Sequence, residues 1–347
     1  MDTVKKILLI SHEMTYTGAP RSLLNVACLL KREGYDITVW SLQPGEFEKE
    51  FLLVGFAVSI LDKDLKRLSA ELQYYDLAIL NTFFCAALVS VIQPFVRTIL
   101  YIREGQNILD LARDCNLDIQ DIRRAKEVVC ISDYAREAVL NCCPNSNPSI
   151  IHNFVEDKYR GGLNLPHKHM INYLISGTVE WRKGHDIVLH AFLNMPKELH
   201  RITRLHIVGR KPEWSKQFWE NLIPNDERII EYGEICNEKK RIDLYKRMNV
   251  FVIASRDEAC SLVALEGAML GKAVIFSENT GAKYLDTNKC RVYPTENAGA
   301  LCRQMRELTS RKKLLLEGIR MRKQYLRTST EKQYLYQIEK VIQRRTD

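Results

Sequence analysis

The chain has 347 residues, 46% of them hydrophobic and 27% charged, and a formal net charge of +8. Such a composition belongs to a soluble globular protein long enough for two domains, and it excludes disordered, fibrous and membrane-spanning classes. The positive balance favours anionic partners such as nucleotide phosphates, acidic glycans or lipid headgroups; because the basic residues are not gathered with aromatics on one element, no nucleic-acid partner is expected.

Residues 5–11 read as a buried strand, and the loop His12 to Pro20 leads into an amphipathic helix, Arg21 to Arg32, that Gly34 ends before a second strand, 36–40. This βαβ opening carries one glycine in its loop, Gly18, which allows a close ligand approach at the helix start but makes neither a dinucleotide fingerprint nor a P-loop. The rhythm continues with strands at 56–60 and 77–80, a helix over 84–92, and a strand over 98–102 that delivers Arg103 and Glu104 to its carboxyl end. A strand at 127–131, a helix from Asp133 capped by Ser132, and a strand at 149–153 close this half.

Residues 154–170 read as a linker. Its His167 and His169 lack a third ligand nearby and are read as solvated, so no metal site is expected there. A second βα series starts at 172–177 and runs through the loop 178–184, a helix at 185–193, strands at 204–209 and 229–233, and a helix at 239–248. From Asn297 the chain is helical and highly charged; the stripe Leu335, Ile338 and Val341 is expected to pack on protein, with a face toward an anionic membrane as the alternative.

The 10 cysteines include no C-x-x-C pair, and Cys28, Cys85 and Cys130 lie inside apolar runs, as small buried hydrophobes of a reducing compartment. The chain opens without a secretory leader pattern, and no apolar run reaches transmembrane length. A cytoplasmic protein is expected, with peripheral contact at the inner face of the cell membrane compatible with its charge.

The most informative stretch is 251–271: an apolar strand, the polar turn Ser255 to Glu258, and a helix with Leu262, Leu265, Ala268 and Met269 at helical spacing. Open α/β sheets bind ligands at the carboxyl ends of their strands, where Glu258 falls. The first amides of the following helix are unpaired donors suited to a diphosphate. A carboxylate such as Glu258 or Glu266 suits sugar hydroxyls instead. Together they point to a nucleotide sugar; the alternative is a helix-capping Glu258 and a solvated Glu266.

Four segments carry a family resemblance: the Glu258-x7-Glu266 element followed by GAMLGKAVIF, GTVEWRKGHDIVLHAF at 177–192, TGAPRSLLNVACLLKREGYDITVW at 17–40, and VVCISDYAREAV with SIIHNFV. In order and spacing the chain resembles the retaining glycosyltransferases of family 4. The resemblance implies an α/β fold of two Rossmann-like βαβ domains facing across a cleft (GT-B). It places an acceptor-side domain over 1–153 and a nucleotide-sugar domain over 171–325, with a C-terminal helix over 326–347 packing back toward the first. It also implies transfer from a UDP- or GDP-sugar to a glycan or lipid-linked acceptor, in bacterial surface polysaccharide or glycoconjugate synthesis.

Carried onto this sequence, the resemblance gives Glu258 to the transferred sugar, Glu266 to the ribose, and the amides of Cys260, Ser261, Leu262 and Val263 to the distal phosphate. Lys183 neutralises the diphosphate, Arg210 and Ile235 flank the base, and Gly18 is a further donor contact. Three positions depart from the family. Thr178 stands where an arginine is frequent, so Arg182 supplies the second positive charge; Cys260-Ser261 replaces Phe-Gly; and Arg103-Glu104 occupies the place of a histidine, with roles toward donor and acceptor. No cofactor or metal is expected, since cations and a helix start can stabilise the departing diphosphate. The alternative function is a non-catalytic sugar-nucleotide or glycan-binding homologue of the same fold.

Overall fold

The computed structural model describes residues 5–61, 65–165 and 170–344, apart from the side chains of 65–67. His167, Lys168 and His169 of the expected linker lie outside the described residues. The chain divides into two compact units: the first runs to Glu156 and takes in the chain again from Glu331, and the second spans Asp157–Thr330.

In the first unit the elements are β1 (Lys6–Ser11), α1 (Gly18–Arg32), β2 (Asp36–Ser41), α2 (Glu48–Leu53), β3 (Val58–Ile60), α3 (Leu65–Leu72), β4 (Leu77–Asn81), α4 (Val89–Ile92), β5 (Arg97–Ile102), α5 (Ile108–Asp114), α6 (Gln120–Arg124), β6 (Glu127–Cys130), α7 (Asp133–Cys142) and β7 (Ser149–Ile150). They build a parallel sheet of order β3-β2-β1-β4-β5-β6-β7. Helices cover strands that are apolar throughout: Ile7 to Ile10, Leu77 to Leu80 and Ile99 to Ile102 are buried, as a sheet hidden on both faces requires. Each such side chain contributes about 1.5–3 kcal/mol by leaving water. Ser132 caps α7, its Oγ accepting from the Ala135 amide at 3.1 Å. Of the three cysteines expected inside, Cys85 and Cys130 are buried and Cys28 is half-buried.

In the second unit the elements are β8 (Ile171–Ser176), α8 (His185–Leu193), β9 (Thr203–Val208), α9 (Lys216–Glu220), β10 (Ile229–Glu231), α10 (Glu238–Lys246), β11 (Val250–Ile253), α11 (Leu262–Met269), β12 (Ala273–Ser277), β13 (Val292–Tyr293), α12 (Ala298–Glu307) and α13 (Arg311–Thr328). Its parallel sheet has the order β10-β9-β8-β11-β12-β13. The core is formed by Tyr173, Ile175, Val188, Phe192, Leu205, Val252 and Ile275, among others.

Two expectations change in detail. The run 84–92 is not one α-helix: a 3-10 turn over Phe83–Leu88 precedes α4. That turn starts straight after β4, with the Phe83 amide tied to the Glu104 carboxylate at 3.0 Å, which favours tight winding at once. The helical tail after Asn297 is three helices, the last being α14 (Glu331–Ile342) in the first unit. Tyr334, Ile338, Val341 and Ile342 of α14 are buried, with Leu335 only half-buried. Arg97 fixes its end, donating to the carbonyls of Val341 (2.6 Å) and Ile342 (2.5 Å) while gripping Glu127 with two bonds of 2.6 Å.

His185, the first residue of α8, is fully buried against Trp219, ring centroids 6.0 Å apart. Burial, with the Lys183 charge nearby, pushes its pKa down to about 3. The unfolded chain, near the ordinary value of about 6.5, binds the proton first, so this group's stabilising contribution is present above about 6.5 and is lost as pH falls toward 3. His206, lowered to about 4 chiefly by burial, adds a loss of the same sign. In urea titrations, His185→Asn should therefore lose about 2 kcal/mol less than the parent between pH 6.5 and 5; parallel slopes for the two proteins would contradict the buried neutral imidazole.

Candidate active site

The second sheet reverses its direction of growth between β8 and β11: β9 and β10 lie on one side of β8, β12 and β13 on the far side of β11. Loops that leave the carboxyl ends of the strands flanking such a reversal part from each other and leave a ligand crevice. Here they are the loop 177–184 after β8 and the loop 254–261 after β11.

Gly184 brings the first loop down onto the second. Its φ is +69°, and a Cβ there would run into the carbonyl of Ala254, so glycine is required by both conformation and space. The Arg256 amide donates to the Arg182 carbonyl at 2.8 Å. The Arg256 guanidinium grips Asp186 of α8 with bonds of 2.9 and 2.6 Å, bonds Glu296, and stacks on the Trp181 ring at 4.2 Å. These contacts clasp the two loops.

Within the clasp the Lys183 ammonium is ion-paired to Glu258 Oε2, which also accepts from the Ser255 hydroxyl at 2.9 Å. Burial pushes the Glu258 carboxyl up, but the charges of Lys183 and Arg182 and the bonds from Lys183 and Ser255 outweigh it, and its pKa lies below the ordinary value. Glu258 does not cap the helix: its backbone bridges to Thr280, and Ser261 is the N-cap of α11, accepting from the Ala264 amide at 3.3 Å. The capping side chain takes the Ala264 amide, and the first helical amides, Leu262 and Val263, have no carbonyl within their own helix. A carboxylate, an ammonium and a helix start thus share one short stretch of the crevice.

Two models of known families match this chain: "Glycosyl-transferase family 4" over residues 3–100 and "Glycosyl transferases group 1" over residues 171–311. The chain belongs to the group 1, family 4 glycosyltransferases. A D-inositol 3-phosphate glycosyltransferase of Streptomyces bingchenggensis is 27% identical over 163 residues, 44% of this chain and 35% of that protein, so the match spans about a third of that relative's length. HepE of Anabaena, solved in complex with UDP and glucose, superposes with a TM-score of 0.80 at 14% identity, covering 97% of this chain and 99% of that one. A glycosyltransferase of Rickettsia africae gives 0.78 at 18% identity, covering 99% and 100%. At these identities the likeness is one of fold, and the fold is GT-B.

In this glycosyltransferase-family chain the sequence-predicted residues fall into three groups. Glu258, Lys183 and the start of α11, Cys260 to Val263, come together. Arg182 stands beside them, its guanidinium donating to Glu180 (2.7 Å) and to the Asp257 carbonyl (3.0 Å). Glu266 is buried on α11 and bonded at 2.9 Å to Arg241 of α10, not solvated. Arg210 is exposed after β9, its carbonyl accepting from the Val179 amide at 2.9 Å, and Ile235 is half-buried after β10.

Gly18, Arg103 and Glu104 belong to the first unit. Gly18 is exposed, with open space where a Cβ would stand. The Arg103 guanidinium and the Glu104 carboxylate do not form an ion pair with each other. The Arg103 guanidinium donates to Asn81 (2.5 Å), Ser22 (2.9 Å) and Asn153 (2.8 Å), and the buried Glu104 carboxylate accepts from the amides of Phe83 (3.0 Å) and Arg103 (2.9 Å).

Sequence reasoning missed Ser255, although Ser255-x-x-Glu258 has the spacing of a capping box. It also missed Arg241, Arg256 and Asp186; the last two are 70 positions apart, and no local pattern announces their pairing. Among the described residues no helix is long and apolar enough to cross a membrane. Because Gly184 holds the loops together, Gly184→Ala should cost about 2–4 kcal/mol of stability by chemical denaturation; a loss within experimental error would mean that the loops separate easily.

Proposed function

We propose that the chain transfers a sugar from a nucleotide sugar to a glycan or lipid-linked acceptor, with retention at the anomeric carbon. The observation that carries this reading is the meeting of Lys183 and Glu258 at the strand-order reversal of the second unit, directly before the amides of α11. Lys183 leaves Glu258 for the diphosphate when donor binds, and the amides of Cys260, Ser261, Leu262 and Val263 receive the distal phosphate. Arg182 adds long-range positive charge. Glu258, relieved of its ion pair, accepts hydroxyls of the transferred sugar. Glu266, oriented by Arg241, takes the ribose, and Arg210 and Ile235 flank the base.

HepE's complex with UDP and glucose supports a uridine donor over a guanosine one. Arg103 and Glu104 serve the acceptor side of the first unit. The diphosphate leaving group is stabilised by protein cations and helix amides, so no metal is required. With its formal net charge of +8, the protein works in the cytoplasm at the inner face of the cell membrane, in synthesis of bacterial surface polysaccharide or glycoconjugate. A binding protein of the same fold that holds the donor without turning it over is the second reading; it is favoured by Thr178, at a position where an arginine is frequent in the family, and by Cys260-Ser261 in place of Phe-Gly.

A thermal-shift panel of UDP-, GDP- and ADP-sugars, followed by donor turnover with and without EDTA, tests the proposal. UDP-sugars should stabilise the protein most, turnover should survive EDTA, and the product should keep the donor's anomeric configuration by NMR. Lys183→Ala should weaken UDP binding about 10- to 100-fold, since a charge-assisted bond is worth about 1.5–3 kcal/mol. Glu258→Gln should bind UDP and lose turnover. Donor binding with no turnover in the parent protein would select the second reading, and equal UDP affinity in Lys183→Ala would remove that lysine from the donor site.

A further inference from the structure

The first sheet has its own reversal, between β1 and β4, with β2 and β3 on one side and β5 to β7 on the other. The two strands end level, Ser11 paired with Asn81, so His12 and Thr82 begin the two diverging loops side by side. Their side chains meet: Thr82 Oγ1 lies 3.0 Å from His12 Nδ1. The imidazole stacks on Phe84, centroids 4.9 Å apart, and its Nε2 is 3.6 Å from Glu13 Oε1. Glu13 Oε1 also accepts from the hydroxyls of Thr15 (2.7 Å) and Thr17 (3.1 Å). Its Oε2 has no partner among the described residues.

Thr82 is held at a cost. Its φ of +123° and ψ of +162° fall in a region that is essentially reserved for glycine, and it is both β-branched and buried. The backbone is over-determined there: the Thr82 amide donates to the Tyr101 carbonyl at 2.9 Å, and its carbonyl accepts from the Cys85 amide at 3.1 Å. A glycine would meet the same backbone demand without strain. What threonine adds is a hydroxyl, which lies on His12 and also meets the buried Cys85 thiol.

We propose that His12 and Glu13, with Thr82 setting the imidazole, form a carbohydrate-hydroxyl site in the first unit, at the place where the reversal of its sheet opens a crevice. The ligand is a neutral polyol, not a phosphate. Glu13 puts a carboxylate beside the start of α1, the end of a helix that would otherwise attract anions. The His12 imidazole, then Thr15 and Thr17, hold that carboxyl down to about 2 against burial, so it is charged at neutral pH. Arg103, a nearby cation, is already committed to Asn81, Ser22 and Asn153. His12 and Glu13 are partly accessible, with 19% and 26% of their side-chain surfaces exposed. On the transferase reading, on which this assignment rests, the polyol is the acceptor sugar, and His12 and Glu13 orient the hydroxyl that receives the glycosyl group.

The test uses the full-length protein and methyl glycosides of glucose, galactose, mannose and N-acetylglucosamine as probes. The His12 ring signal is assigned by its loss in His12→Gln and followed by NMR, and UDP affinity is measured in parallel to report on the second unit. At least one glycoside should move the His12 signal saturably, and Glu13→Gln should weaken that glycoside about tenfold, the worth of a hydrogen bond to a charged group. Thr82→Gly should melt no lower than the parent, because the strain is relieved, yet bind the glycoside more weakly; a purely structural Thr82 would not separate the two readouts. Glycoside binding at His12 without any nucleotide binding would keep this site and overturn the transferase reading. UDP binding with a His12 signal that no glycoside moves, or that inorganic pyrophosphate moves instead, would overturn the site and leave the transferase reading standing.

Discussion

A parallel sheet that grows outward from a central pair of strands must send its loops in opposite directions at that pair, and the crevice so formed is the one place where two connections end beside each other yet leave room for a ligand. Both units of this chain obey that constraint. In the second unit the reversal lies between β8 and β11, and Lys183 and Glu258 sit on the two loops it separates. The meeting of these residues, 75 positions apart, follows from strand order and from one glycine, Gly184, that lets the loops touch.

Charge at the site is managed by pairing. Glu258, Glu266 and Arg256 would each be costly to bury alone, and each has an opposite partner: Lys183, Arg241, and the carboxylates of Asp186 and Glu296. The pairs differ in what they leave available. Arg241–Glu266 is enclosed between two helices, so it orients a carboxylate. Arg256 is spent on clasping loops. Lys183–Glu258 lies next to a helix start; on the function proposed above, an incoming diphosphate draws the ammonium away and releases the carboxylate in the same event.

The first unit uses its charged residues differently. Arg103 and Glu104 stand at the end of β5, and both are drawn into the scaffold: the carboxylate ties down two backbone amides, and the guanidinium joins Asn81, Ser22 and Asn153. At the reversal of this sheet, by contrast, His12 and Glu13 remain partly exposed. The strained Thr82 beside them marks a place where backbone comfort gives way to the position of a hydroxyl.

Much of this was readable from the residues alone. Apolar runs such as Ile7 to Ile10 and Phe251 to Ile253 read as strands buried on both faces, and their alternation with amphipathic segments points to parallel sheets. The run from Ser255 to Glu266 placed a carboxylate and a helix start together, because those relations are local. Short helices such as α2 and α5 escaped, since a turn or two of helix carries too little periodicity to be seen. What only the tertiary structure decided was partnership: that Lys183 answers Glu258, Arg241 answers Glu266, and Thr82 answers His12. A side chain's local sequence sets its chemistry and its element, whereas its partner is set by which strands lie next to each other, and strand order is a property of the whole sheet.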